Sequence, residues 1–114
     1  MLTWQQVVEI AVQFPGVTEA VSYGEPSLKV RTSLLTRWRM NDDSIVLLDV
    51  DSFERDHLMY EAADTYFLED HYRAYNIVLA YLARLDPDQL TAFLERRWRN
   101  IAPKRVIKAF DQTG

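Results

Sequence analysis

The stretch 66–86 constrains the fold more than any other part of this chain. It opens with Tyr66-Phe67-Leu68, a short apolar and aromatic run that reads as a strand. A polar connection follows over 69–75. Residues 77–85 then form a second, longer apolar run, read as another strand. The connection packs His71, Tyr72, Arg73 and Tyr75 into five positions, an unusual density of aromatic and titrating groups. A pair of strands needs a sheet to belong to, and the elements on either side are arranged to supply one.

Helix signals come before and after the sheet. Thr3-Trp4-Gln5-Gln6 has the form of a capping box, and Trp4, Val7, Val8, Ala11 and Phe14 recur at helical spacing. A helix is expected over 3–14, stopped by Pro15-Gly16. Residues 17–26 read as a turn-forming stretch around Tyr23-Gly24-Glu25-Pro26. Residues 28–31 alternate as a strand, and Thr32-Ser33 is the expected turn. In the next strand Leu34, Thr36, Trp38 and Met40 fall on one face, with Leu35, Arg37 and Arg39 on the other. Residues 41–43 form a second turn, and the nearly continuous apolar run 44–50 reads as a buried strand.

Asp51 or Ser52 caps a helix that ends by residue 64, on which Phe53, His57 and Tyr60 share a face. Asp86, Pro87 and Gln89 open a third helix whose buried stripe is Leu90, Phe93, Leu94, Trp98 and Ile101, ended by Pro103. Residues 104–114 read as a polar tail, docked or frayed, with Val106, Ile107 and Phe110 as its apolar members. The order α-β-β-β-α-β-β-α predicts an α+β fold. It has an antiparallel sheet of about five strands with helices on one face, and 1–114 forms a single domain.

Composition narrows the function classes. The chain has 114 residues, enough to bury one core without disulfide or metal support. It has no cysteine, which rules out thiolate chemistry and disulfides. No basic-then-apolar leader opens the sequence and no apolar run is long enough to span a membrane, so a cytoplasmic protein with no membrane partner is expected. The net charge of −4 hides an asymmetry. Residues 1–95 hold seven Lys/Arg against sixteen Asp/Glu, and residues 96–114 hold six against Asp111 alone.

Several segments together resemble the MmcQ/YjbR family, small bacterial proteins of the CyaY-like, "double wing" fold class. They are Phe14-Pro15-Gly16-Val17, Tyr23-Gly24-Glu25-Pro26-Ser27-Leu28-Lys29-Val30, His71-Tyr72-Arg73-Ala74-Tyr75 with Val78-Leu79, and Trp98-Arg99-Asn100-Ile101-Ala102-Pro103-Lys104-Arg105. The set spans nearly the whole chain. Asp70, Ala74 and Asn76-Ile77 depart from the family's usual Pro, Gly and Pro-Trp at those places. The resemblance implies a CyaY-like fold and non-enzymatic DNA binding.

The residues offer two binding surfaces. Lys29 and Arg31 alternate on one strand and Arg37 and Arg39 on the next, so paired strands would line up four cations. Arg96, Arg97, Arg99, Lys104, Arg105 and Lys108 form a second basic run. Both sets suit contacts to the phosphates of double-stranded DNA, weak and salt-sensitive on an acidic body. Both also suit a bland reading, as the polar face of a half-buried sheet and as cations at a helix C-terminus. The alternative functional surface is a small-ligand or protein-binding site built from Tyr23, His71, Tyr72, Arg73 and Tyr75, with Arg73 as an anion fork and His71 as the titrating group.

No catalytic residues are assigned. The three glycines stand alone, and neither a nucleophile elbow nor a metal-ligand set is present. No cofactor or metal is expected, because His57 and His71 lack ligand spacing and turns and caps account for most acids around 42–56. The expected state is a monomer or weak dimer.

Overall fold

A computed structural model describes residues 1–113. In chain order the elements are α1 (Trp4–Ala11), β1 (Val17–Ser22), β2 (Glu25–Val30), β3 (Ser33–Arg39), β4 (Ser44–Leu48), α2 (Ser52–Glu61), β5 (Tyr66–Phe67), β6 (Ile77–Tyr81), α3 (Pro87–Ile101) and α4 (Lys104–Thr113). A single 3₁₀ turn, Asp70–Tyr72, lies between β5 and β6. The strands form one six-stranded sheet in the order β1-β2-β3-β4-β6-β5, antiparallel at every pairing. The architecture is α+β, with one more strand and one more helix than the sequence suggested.

The additional strand is β1. Its residues alternate weakly because it lies at the sheet edge. Thr18, Glu19 and Val21 stay exposed, and only Val17, Ala20 and Ser22 are half-buried. Six unbroken pairs to β2 nevertheless fix it. The additional helix is α4, formed where a tail was expected. Val106, Ile107 and Phe110 lie within one turn of each other and pack on the core. Phe110 sits edge-on to Trp98 and tilted against Phe14. The Arg99 guanidinium donates to both oxygens of Asp111, at 3.0 and 2.7 Å, tying α4 back onto α3.

The helix-capping residues sit where the sequence places them. Thr3 Oγ1 accepts from the Gln6 N–H while the Thr3 N–H donates to Gln6 Oε1, so both halves of the box close. Asp51 caps α2 by accepting from the Glu54 N–H, and Asp86 caps α3 by accepting from the Gln89 N–H, with Pro87 in the first turn of α3. The Gln89 side chain does not reach back but accepts from the Tyr66 hydroxyl at 3.0 Å. Strand β6 stops at Tyr81, earlier than expected, because residues 82–85 turn toward the Asp86 cap.

The core lies on one face of the sheet. Leu28, Val30, Leu35, Ile45, Leu47, Val78, Ala80 and Leu82 meet Val7, Val8 and Ala11 of α1 and Leu90, Leu94 and Trp98 of α3. Trp98 is fully buried, and its indole N–H donates to the Pro15 carbonyl at 2.9 Å. Burying a side chain of this kind stabilises the fold by roughly 1.5–3 kcal/mol. Of the aromatic face on α2, Phe53, His57 and Tyr60 all point to solvent. Instead Leu58, Met59 and Ala62 hold that helix to the core.

One irregularity sets which β3 side chains face the helices. Leu28 pairs with Thr36, but Lys29 pairs with Leu34, so Leu35 is an extra residue in β3. This bulge reverses the alternation. Leu35 joins the core instead of sharing a face with Arg37 and Arg39, and Leu34 turns to the other side with them. The Leu34 carbonyl, beside the bulge, accepts from Arg97 Nε at 2.8 Å.

Candidate functional site

The sheet face opposite the helices carries Ser27 on β2, Leu34, Arg37 and Arg39 on β3, Val46 and Leu48 on β4, and Ile77 and Leu79 on β6. The connection between β5 and β6 folds over this face. A cavity of about 750 Å³ lies beneath it, and Tyr23, His71, Tyr72 and Tyr75 form its rim. Its floor is Leu34, Val46, Leu48 and Ile77, and Glu25, Arg37, Arg39 and Glu69 are the charged groups in its wall.

Arg37 and Arg39 lie on the face expected of them, but they are not the outward ladder suggested by strand alternation. They are 8% and 6% exposed. A buried charge needs partners, and each has them. Arg37 Nη1 donates to Glu25 Oε1 at 2.6 Å and Nη2 donates to the Tyr72 hydroxyl at 2.6 Å. The Tyr23 ring lies 5.4 Å from the same guanidinium. The second Glu25 oxygen accepts from the Met40 N–H at 2.7 Å, so both oxygens of that carboxylate are engaged. Arg39 Nη2 faces Glu69 at 2.9 Å and Asp42 at 3.3 Å, and the guanidinium lies 5.8 Å from the Phe67 ring. Among the described residues nothing accepts from Arg39 Nη1, although the atom is buried. An unmatched buried donor costs about 1–3 kcal/mol, and more when charged.

Two local features hold the rim in place. The β1–β2 hairpin turns at Tyr23-Gly24, both with positive φ (54° and 76°), and this carries Tyr23 to the mouth of the cavity. Arg55 of α2, only 5% exposed, reaches to the connection from beneath. Its Nη1 donates to the carbonyls of Tyr75 and Ile77 at 2.9 and 3.2 Å, and its Nη2 lies 3.5 Å from the Arg73 carbonyl. The connection is therefore pinned although most of its residues are exposed.

Four of the five residues proposed for a ligand site, Tyr23, His71, Tyr72 and Tyr75, line the cavity. The fifth, Arg73, is not the anion fork of this cavity. It is exposed and pairs with Asp70 at 3.1 Å, because the 3₁₀ turn directs its side chain back along the connection. Sequence reasoning missed Glu25, Arg37, Arg39 and Glu69 as members of this site. The available signal was a pair of arginines alternating on a strand whose neighbours also carry apolar residues.

The ten cations proposed for DNA contact divide in two. Arg37 pairs with Glu25, Arg39 with Asp42 and Glu69, Arg96 with Glu54, Arg97 with Asp49, and Arg99 with Glu95 and Asp111. Lys104, Arg105 and Lys108 are exposed on α4. Lys29 is half-buried opposite Leu34, and Arg31 is exposed in the β2–β3 turn with φ 57°, outside any strand ladder. Four of the acids around 42–56 are engaged in structure too. Asp42 accepts from Ser44, Asp43 from the Trp38 indole and Asp49 from Asn100, and Asp51 caps α2.

Comparison with protein-family models, with curated proteins and with solved structures found no match to this chain. No helix among the described residues is long and apolar enough to cross a membrane.

Proposed function

We propose that this protein is a small-ligand-binding module, acting without catalysis, whose site is the cavity between the free sheet face and the β5–β6 connection. One observation carries the reading. A cavity of about 750 Å³ joins an aliphatic floor to two buried arginines and a tyrosine-rich rim. Ligand sites characteristically combine apolar walls with a few convergent polar groups, in volumes of roughly 300–1,000 Å³. The experiment is a titration of ¹⁵N-labelled protein with a mixed set of small acids, amines and alcohols. At least one compound should move the amide signals of Leu34, Val46, Leu48 and Ile77 together. Leu48→Trp, which fills the floor, should abolish the movement. If no compound moves these signals, the reading fails.

A second reading is the DNA binding implied by the likeness to MmcQ/YjbR proteins. Lys104, Arg105 and Lys108, exposed on α4, favour it. With five of the ten cations already paired, few remain for phosphates, and each contributes one increment to the salt dependence. Duplex DNA that binds at low salt and is lost in Lys104→Ala/Arg105→Ala/Lys108→Ala would favour this reading. No binding at low salt would exclude it, and binding unaffected by that triple change would exclude the α4 cations as its contact surface.

A further inference from the structure

We propose that the cavity takes a monocarboxylate carried on a flat apolar body, with Arg39 as its charged partner at the position Glu69 now holds. The proposal rests on the small-ligand reading and names the chemical class.

The two arginines differ in what they have left to give. Arg37 is committed. Glu25 and the Tyr72 hydroxyl take its two terminal nitrogens, and Glu25 is itself closed by the Met40 N–H. Arg39 is not committed. Both of its carboxylate contacts fall on Nη2, and its Nη1 is buried without an acceptor. The unused capacity in the cavity wall is therefore the Nη1 donor, which together with Nη2 forms a fork once Glu69 leaves. A planar two-oxygen acceptor matches that fork with two parallel hydrogen bonds. Each oxygen of Glu25 already accepts one hydrogen bond, from Arg37 and from the Met40 N–H, so that carboxylate is less open to an amine than Arg39 is to an acid.

Glu69 is the exchangeable contact. It comes from the connection rather than the sheet, and its side chain is 42% exposed, against 23% for Glu25. Only the Glu69 end of the pair is half exposed, so this carboxylate regains water readily when it leaves Arg39. An incoming carboxylate that also buries an apolar body can replace it, and Glu69 then returns to water. Exchange of one carboxylate for another preserves the local charge balance. A phosphate monoester brings nearly two charges and leaves the excess beside Glu25 and Asp42, which disfavours it. The floor of Leu34, Val46, Leu48 and Ile77, facing the rings of Tyr23 and Tyr72, suits a flat apolar body.

The test uses 2-naphthoate, 2-naphthamide and 2-naphthyl phosphate as probes on the full chain, read by amide shifts at Val46 and Ile77 and by calorimetry. Naphthoate should bind at these residues, with the amide and the phosphate weaker by about tenfold or more. Glu69→Gln, at a half-exposed position, should tighten naphthoate severalfold and leave naphthamide unchanged. Arg39→Lys, checked for folding by circular dichroism, should weaken naphthoate by about tenfold. Equal binding of naphthamide overturns the carboxylate class while the cavity reading survives. Tighter binding of the phosphate overturns the monoanion assignment. Weaker or unchanged naphthoate binding in Glu69→Gln overturns the exchange at Arg39. If none of the probes moves the cavity signals, the flat-monocarboxylate class falls, while the cavity reading falls only if the mixed set of compounds also fails to move them.

Discussion

Tyr23 and Arg55 illustrate how single residues spend stability on the shape of the cavity. Tyr23 holds φ at 54° in the β1–β2 turn, a left-handed conformation that costs an L-residue roughly 1–2 kcal/mol. Asn tolerates this position far better and is the preferred partner of the following Gly in such a turn. Tyr23→Asn is expected to raise stability by about 0.5 kcal/mol in urea unfolding. The same change should weaken ligand binding, since the ring at the mouth and its contact with Arg37 are lost. Arg55 has the opposite character. Its buried guanidinium serves the carbonyls of Tyr75 and Ile77. Arg55→Met keeps the apolar stem and removes the donors, and should cost about 2 kcal/mol. Hydrogen exchange at residues 73–77 should speed up by more than in the rest of the sheet.

At the scale of elements, α4 shows how a segment with little intrinsic helical anchoring becomes ordered. It has no core residue that is fully buried. Phe110 wedges against Trp98 and Phe14, and Arg99 clamps Asp111. The hydrogen bonds from Arg99 hold the Asp111 carboxyl below its usual range, and the same pair raises the Arg99 guanidinium. A carboxyl depressed in the folded state binds its proton less readily there than in the unfolded chain. Its contribution is thus present above the ordinary carboxylate pKa of about 4 and is lost as pH falls through the lower folded value. Hydrogen-exchange protection of the α4 amides should drop below about pH 4. In Asp111→Asn that protection should be lower at neutral pH and should lose this acid step. An acid step that persists in Asp111→Asn would assign it to another carboxylate.

For the whole molecule, the charged side chains join elements that are distant in sequence. Arg97 links α3 to Asp49 after β4, Arg96 links it to Glu54 of α2, and Arg39 links the sheet to Glu69 on the connection. With α4 tied to α3 and the connection tied to the sheet, neither is expected to melt separately. Far-ultraviolet circular dichroism and tryptophan fluorescence should follow one urea transition. A loss of helical signal that precedes the fluorescence change would show α4 detaching first. The electrostatic picture also changes at this scale. A chain that reads as an acidic body with basic patches folds so that Arg37, Arg39, Arg96, Arg97 and Arg99 pair with its own carboxylates, leaving Arg31, Arg84 and the α4 cations exposed.

The sequence by itself determined the features that depend on near neighbours. The Thr3–Gln6 box, the Asp86-Pro87 start of α3, the buried run of β4 and the α+β order are local patterns, written in residues a few positions apart. Where the partner lies far along the chain, only the tertiary structure decided. Strand β1 exists because β2 pairs with it, although its own burial pattern is that of an edge. The bulge at Leu35 inverts the faces of β3, and the strand pattern carries no sign of it. Arg37 and Arg39 look like solvent-facing cations until Glu25, Tyr72 and Glu69 arrive from 12, 35 and 30 residues away. Alternation tells which side of a sheet a residue takes, but whether that side meets water depends on what folds over it. Here a short aromatic connection does so, and two arginines that read as a surface for phosphates become the wall of a cavity.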